Sequence, residues 1–267
     1  MISLDHLEKL FGEPCIFLGG LGGEGIYLIK IGKTKCVFKK HPHAGIEARM
    51  LRLLGEYLRV PKVIWSDGDM LVMEYIESDG KLDEAEAGRV LASLHRVTGE
   101  RFGLDFDTTI GPHYQPNTPN ASWIDFYREE RVLSTARGCL ERQRFDMGIM
   151  ARIEKLGRRF ATLLPEPTPV LLHGDIWSGN VIATKQGAAF IDPALYYGHN
   201  EVELAFILMF DTFGERFFNV YHELNPIEKG FFEERQYLYQ LYPVLVHVNS
   251  FGSGYMGMLE RILRRFS

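Results

Sequence analysis

Cysteine is scarce in this sequence. Cys15, Cys36 and Cys139 are odd in number and far apart, which excludes a disulfide framework and a CxxC metal clip. They are read as free thiols of a reducing cytoplasm, and a redox role for Cys15, just before a glycine run, has no support. Long hydrophobic runs are missing too: the longest plain apolar stretch, residues 204–210, is far below the roughly 20 residues that cross a bilayer. Residues 1–12 mix Asp5, Glu8 and Lys9 into an amphipathic pattern without the apolar core of a signal peptide. The expectation is a cytoplasmic chain with no membrane partner. Nor is there a surplus of positive charge. Thirty basic against thirty-five acidic residues give a formal charge of -5, so the field that steers proteins to nucleic acid is absent and none is expected as a partner. What remains, 46% hydrophobic and 24% charged residues, is the composition of a globular domain able to build a core.

The pattern changes character once, near residues 77–81. Before it, residues 15–18, 26–31 and 36–39 are short β-prone runs separated by glycines and a Gly-Lys-Thr turn. Ile46, Met50, Leu53, Leu54 and Tyr57 recur at helical spacing, predicting a helix over 44–58 that Pro61 ends. Residues 63–65 and 70–76 read as a hairpin around Ser66-Asp67-Gly68-Asp69. Afterwards the pattern is mainly helical, over 83–95, 122–140 and 147–164, with an ordered loop at 98–120. Two β-prone runs, 170–172 and 188–191, flank the most polar motif. Helical patterning then returns, with Pro243 expected to kink or divide its helix. Two parts are expected: residues 1–76, a small antiparallel sheet with one helix, and residues 77–267, a larger, mainly helical lobe holding a short hairpin.

The polar motif is His173-Gly174-Asp175-Ile176-Trp177-Ser178-Gly179-Asn180, followed by Ile191-Asp192-Pro193. Single Asp and Asn residues are commonplace in turns, but this spacing resembles the catalytic loop and metal-binding motif of the kinase superfamily. Phosphoryl transfer needs a carboxylate to orient and deprotonate the attacking hydroxyl, and oxygen ligands to hold magnesium against the phosphates. Asp175 fits the base, and Asn180 and Asp192 fit the metal ligands, with phosphate oxygens and water completing the octahedron. His173 is read as structural. Gly20, Gly22 and Gly25 form a GxGxxG match between two strands, where backbone could approach phosphate; a strand follows rather than a helix, which disfavours a dinucleotide-binding unit. Lys39 ends a strand and Glu47 lies on the next helix, as the kinase Lys–Glu pair requires. Strand alternation puts Lys40 on the other face, so Lys39 is chosen for the α and β phosphates of ATP. Residues 71–76 resemble a kinase hinge, with Met73 as gatekeeper and the Glu74 carbonyl and Ile76 amide receiving adenine; taken alone they would be an edge strand. These features together imply an α+β, bilobal protein-kinase-like fold.

The resemblance narrows further. His173 to Asn180 is similar to the HGDLWSGN of the fructosamine kinase family, also called ketosamine 3-kinases, and Asp192-Pro193-Ala194-Leu195-Tyr196-Tyr197-Gly198 to its DPAxYYG. Gly99-Glu100-Arg101-Phe102-Gly103 matches its GERFG, and Leu238-Tyr239-Gln240-Leu241-Tyr242 with Phe251-Gly252 and Tyr255 resembles its C-terminal pattern. The chain departs at Ile176, which replaces Leu, at Asn200 with Glu203, where the family tends to have Arg and Asp, and at the glycine loop, which lacks a tip Ser. The resemblance implies ATP- and Mg2+-dependent phosphorylation of the C3 hydroxyl of a fructosamine or ribulosamine, free or on a glycated protein; a monomer or weak homodimer is the expected assembly. Trp177 is singled out as a platform for the sugar face. An aminoglycoside or choline kinase would share the catalytic set but should offer many carboxylates or an aromatic cage; from Ile207 onward thirteen aromatic, seven acidic and six basic residues favour a neutral, sugar-like ligand. A nucleotide-binding protein of kinase fold without turnover is the remaining alternative.

Overall fold

Residues 4–267 are described by a computed structural model. The chain divides into two units: one runs up to Leu82 and includes Ile182–Ile191, and the other comprises Asp83–Val181 and Asp192–Ser267. No helix among the described residues is long and apolar enough to cross a membrane. Cys15, Cys36 and Cys139 are buried and free.

In the first unit, helix α1 (Leu4–Phe11) precedes strands β1 (Cys15–Gly20), β2 (Ile26–Ile31) and β3 (Thr34–Lys40), helix α2 (Ala44–Leu54), and strands β4 (Val63–Asp67) and β5 (Met70–Glu74). They form an antiparallel sheet in the order β1-β2-β3-β5-β4. β5 is therefore interior, paired on both sides, and not an edge strand; β4 takes that place. Alternation along the strands sends Cys15, Ile29, Cys36, Phe38 and Val72 into one cluster, which Leu7 of α1 closes. α2 stops four residues earlier than its apolar periodicity suggests. The chain turns at Gly55, whose N–H reaches the Leu51 carbonyl at 2.9 Å, so Pro61 has no helix left to end.

The second unit opens with α3 (Glu84–Leu94), capped by the Asp83 carboxylate accepting from the Ala85 N–H at 3.0 Å. The stretch 98–120, expected to be loop, contains a hairpin of β6 (Thr108–Ile110) and β7 (His113–Gln115). The expected 122–140 helix is present as α4 (Trp123–Phe126), a π-helical segment from Tyr127 to Leu133, and α5 (Ser134–Glu141). α6 (Met147–Gly157) and α7 (Phe160–Leu163) divide the next. β8 (Val170–Leu172) precedes the polar motif, and β9 (Val181–Thr184) and β10 (Gly187–Phe190) follow it. The two runs flanking the motif do not pair with each other: β10 pairs with β9, while β8 pairs with β11 (Tyr196–Gly198). The remaining helices are α8 (Asn200–Met209), α9 (Glu215–Leu224), α10 (Gln236–Tyr239), α11 (Leu241–Phe251) and α12 (Met256–Arg265). Gly88 of α3 lets α9 approach, since a Cβ there would lie 2.8 Å from the Phe217 carbonyl oxygen. Pro243 divides its helix as expected. It sits in the first turn of α11, where its missing N–H costs no helical bond.

Candidate active site

Short β8, fully buried, delivers the chain to a turn that only glycine can make. Gly174 has φ of +88°, and a Cβ on it would fall 2.1 Å from the Ala194 carbonyl oxygen. The next residue is Asp175. Loss of hydration, then the nearby Asp192 carboxylate, push its carboxyl up to about 7 against the opposing hydrogen bond from Asn180. The Asn180 Nδ2 donates to both the Asp175 carbonyl oxygen and Oδ2 at 2.9 Å, which turns its own Oδ1 away as an oxygen ligand. Asp192 holds a left-handed backbone, φ +53°, a conformation that costs a non-glycine residue roughly 1–3 kcal/mol and concentrates at functional sites. Asp175, Asn180 and Asp192 thus converge within the second unit, as their spacing implies.

The loop carrying Asp175 is anchored from below by Glu203 of α8. Its carboxylate accepts from the Gly174 N–H at 2.5 Å and the His173 N–H at 3.3 Å, and it faces His95 Nε2 at 2.9 Å. His95 Nδ1 in turn meets the Tyr221 hydroxyl at 2.7 Å. Burial alone would raise the Glu203 carboxyl, but the His95 hydrogen bond and charge, with the Gly174 N–H, hold it below its ordinary value. Glu at this position therefore reaches the backbone despite its extra methylene. His173 is fully buried, and its Nδ1 accepts from the Asp175 N–H at 3.3 Å, a structural role as expected.

Trp177 is not a core residue: it is 42% exposed, and its indole lies over Gly179, where a Cβ would come within 2.3 Å of the ring. Beside it runs a row of rings. Phe210 is 6.4 Å from Trp177 between centroids, His247 is 4.9 Å from Phe210, and Tyr255 is 4.7 Å from His247. Burial lowers the His247 pKa, against the opposing hydrogen bond to the Pro243 carbonyl.

In the first unit, Lys39 and Glu47 form a buried pair, Nζ to Oε1 at 2.7 Å, and His41 Nε2 meets the other carboxylate oxygen at 2.9 Å. Lys40 is exposed and 3.9 Å from Asp69, so the two lysines do separate by face. Of the glycines, Gly22 (φ +68°) turns the β1–β2 connection; Gly25 (φ +80°) packs on β3, where a Cβ would lie 2.4 Å from the Lys40 carbonyl oxygen. Gly25 therefore has a structural reason in addition to the phosphate approach expected of it, and Gly20 lies at the end of β1. Met73 and Glu74 end β5, and the Glu74 side chain is held by Arg59 at 2.5 and 2.8 Å; Ile76 follows, buried.

Sequence reasoning missed His95, which supports Glu203 behind the Asp175 loop, and the buried Gln115 and Arg131, of which Gln115 donates to the Ala194 carbonyl. Gly111-Pro112 between Thr108-Thr109-Ile110 and His113-Tyr114-Gln115 is a turn flanked by β-prone residues, which is the local sequence signal of the β6–β7 hairpin. His95 and Arg131 carry no comparable local signal, because what distinguishes them is burial.

A family model described as fructosamine kinase matches residues 22–267. The chain is 40% identical over 265 residues to the chloroplastic protein-ribulosamine 3-kinase of Arabidopsis thaliana, covering 94% of this chain and 73% of the relative. A Thermobifida fusca crystal structure that bears the name fructosamine-3-kinase superposes with a TM-score of 0.86 at 30% identity, over 98% of this chain and 97% of that one. An aminoglycoside phosphotransferase superposes with a TM-score of 0.67 at 17% identity, over 98% and 99% of the two chains, which shows the protein-kinase-like fold. With the model spanning nearly all of the sequence and the acid-bearing loops in place, this chain belongs to the fructosamine kinase family and is an ATP-dependent phosphotransferase.

Proposed function

We propose that this enzyme transfers the γ-phosphoryl group of ATP to the C3 hydroxyl of a ketosamine, a fructosamine or ribulosamine. The observation that carries this reading is that Asp175 is hydrogen-bonded by the Asn180 amide and lies close enough to the Asp192 carboxylate, on the following loop, to feel its charge. Asp175 orients the acceptor hydroxyl and takes its proton as the oxygen attacks phosphorus. A carboxylate whose affinity for protons is raised by desolvation is better suited to that task than an exposed one. Glu203 holds the loop backbone beneath it.

Asn180 Oδ1 and the Asp192 carboxylate would hold Mg2+. Their donor set fits: both are hard oxygen ligands, and too few to enclose a metal, which suits an ion that keeps water and phosphate oxygens around it. When bound, Mg2+ neutralises charge developing on the phosphates. Lys39, fixed by Glu47, meets the α and β phosphates; Gly20, Gly22 and Gly25 form the phosphate loop; Met73, the Glu74 carbonyl and the Ile76 amide receive adenine. Trp177 offers a flat face to the sugar, and its exposure supports that role. The relatives' names, ribulosamine 3-kinase and fructosamine-3-kinase, support the acceptor class. Buried free thiols suit a cytoplasmic setting, and a monomer or weak homodimer is the assembly we assign. The reading is tested by offering ribulosamines, fructosamines, free sugars, choline and aminoglycosides with Mg-ATP and locating the phosphate in the product by NMR. Phosphate on the ketosamine O3 supports it; turnover of choline or an aminoglycoside alone would reject it.

A further inference from the structure

A buried polar chain outside the residues assigned above ends on the loop that bears Asp192. Gln115, the last residue of β7, donates from Nε2 to the Thr108 hydroxyl at 2.7 Å and to the Ala194 carbonyl at 3.1 Å. Its Oε1 accepts from the Tyr242 hydroxyl at 2.5 Å. These three partners leave no ambiguity about which way the carboxamide faces. Thr108 Oγ1 also accepts from Asn117 Nδ2 at 2.8 Å, and Asn117 Oδ1 accepts from Arg131 Nη2 at 2.5 Å. Arg131 is 0% exposed and, among the described residues, has no carboxylate partner. It lies 3.9 Å over the Tyr196 ring and 4.6 Å over Phe126, and its Nη1 donates to the Pro116 carbonyl at 2.6 Å. A guanidinium buried without a counter-ion is costly. Its neighbours are backbone, amide and aromatic faces that fix it in place.

Ala194 is where this chain meets the catalytic turn. Its N–H donates to the His173 carbonyl at 2.8 Å, and its own carbonyl abuts Gly174 so closely that any side chain there would collide. One residue therefore touches both His173 and Gly174, immediately ahead of Asp175, and it lies two residues after Asp192.

We propose that Gln115 is a positioning residue for phosphoryl transfer, its carboxamide clamping the Ala194 carbonyl so that the loops carrying Asp175 and Asp192 keep one separation. Thr108, Asn117, Tyr242 and the buried Arg131 hold the clamp from behind. The inference rests on the roles proposed for Asp175 and Asp192. Loss of the clamp moves two loops against each other without touching nucleotide contacts elsewhere. The effect should fall on turnover and on metal-dependent binding.

The test is Gln115→Met, which keeps the volume and removes both ends of the clamp. Turnover should fall about 10- to 100-fold, the scale of a displacement near 1 Å in a reacting geometry, with the KM for ATP changed less than about threefold. By calorimetry, ADP affinity without metal should be unchanged, while the increment added by Mg2+ should shrink about tenfold, as expected if the Asp192 ligand is displaced. Turnover within twofold of wild type would overturn the proposal. So would a parallel fall of turnover, metal-free ADP binding and melting temperature, the mark of a merely structural role. If Gln115→Met does not fold, Tyr242→Phe, which deletes only the bond to Oε1, carries the same test: a smaller loss of turnover with the same split supports the clamp, and no loss overturns it. Asp175→Asn separates the two readings. If that variant is inactive while Gln115→Met is normal, the clamp alone fails; if it remains active, the base assignment fails.

Discussion

Replacing Asp175 by Asn should make the protein more stable and far less active. The carboxyl is pushed up to about 7 from an ordinary 3.8, by desolvation first and by Asp192 second. A folded-state value above the unfolded one means that the folded protein binds the proton more tightly, so stability falls as pH rises between about 4 and 7. Three units at 1.36 kcal/mol each set a ceiling of about 4 kcal/mol on the strain of holding this carboxylate ionised, and water reaching the half-buried residue makes the real figure smaller. Asn can still accept the Asn180 hydrogen bond through its own carbonyl, and it removes the charge. Thermal melting of the metal-free protein should therefore show Asp175→Asn above wild type at pH 8, the two curves converging as pH is lowered toward 4. Turnover at pH 8 should fall roughly 100- to 10,000-fold, as for loss of a general base. A variant that is less stable at pH 8, or whose advantage grows on acidification, would refute the electrostatic reasoning; near-normal turnover would refute the role.

Lys39→Met should weaken ATP use much more than Lys40→Met, since only Lys39 is buried against Glu47; equal effects in steady-state kinetics would undo the choice of face. Glu203→Ala should strip acceptors from the Gly174 and His173 N–H groups and leave His95 Nε2 without its carboxylate, a loss of about 3–5 kcal/mol by chemical denaturation, since both side chains are buried; a cost below 1 kcal/mol would contradict the anchor. Excess chelator should abolish transfer and Mg2+ should restore it, whereas activity persisting in chelator would contradict the roles given to Asn180 and Asp192.

The acid-bearing motif was legible because its chemistry is local in sequence: Asp175 and Asn180 are five residues apart, and a bond between them needs only one turn. Lys39 and Glu47 were legible for a similar reason, since strand alternation and helical spacing are short-range rules. Pairing was not. The sequence presents 170–172 and 188–191 as two β-prone runs around one motif, but their partners are set by the register of β11 on β8 and of β10 on β9, and both follow from tertiary packing. The support of the site was hidden for the same reason. His95 lies 108 residues from Glu203, and Gln115 lies 79 from Ala194, so each reads as an ordinary polar residue until burial brings them together. The π-helical turn at 127–133 is too short to print its wider repeat on the sequence, and it falls where Arg131 enters the core.

The most direct test of the central claim is transfer of labelled γ-phosphate from ATP to a purified ribulosamine or fructosamine, with wild type and Asp175→Asn run side by side. The account predicts labelled ketosamine phosphate from wild type and essentially none from the variant at equal, folded protein concentration. Labelled ketosamine at comparable rates from both would contradict it.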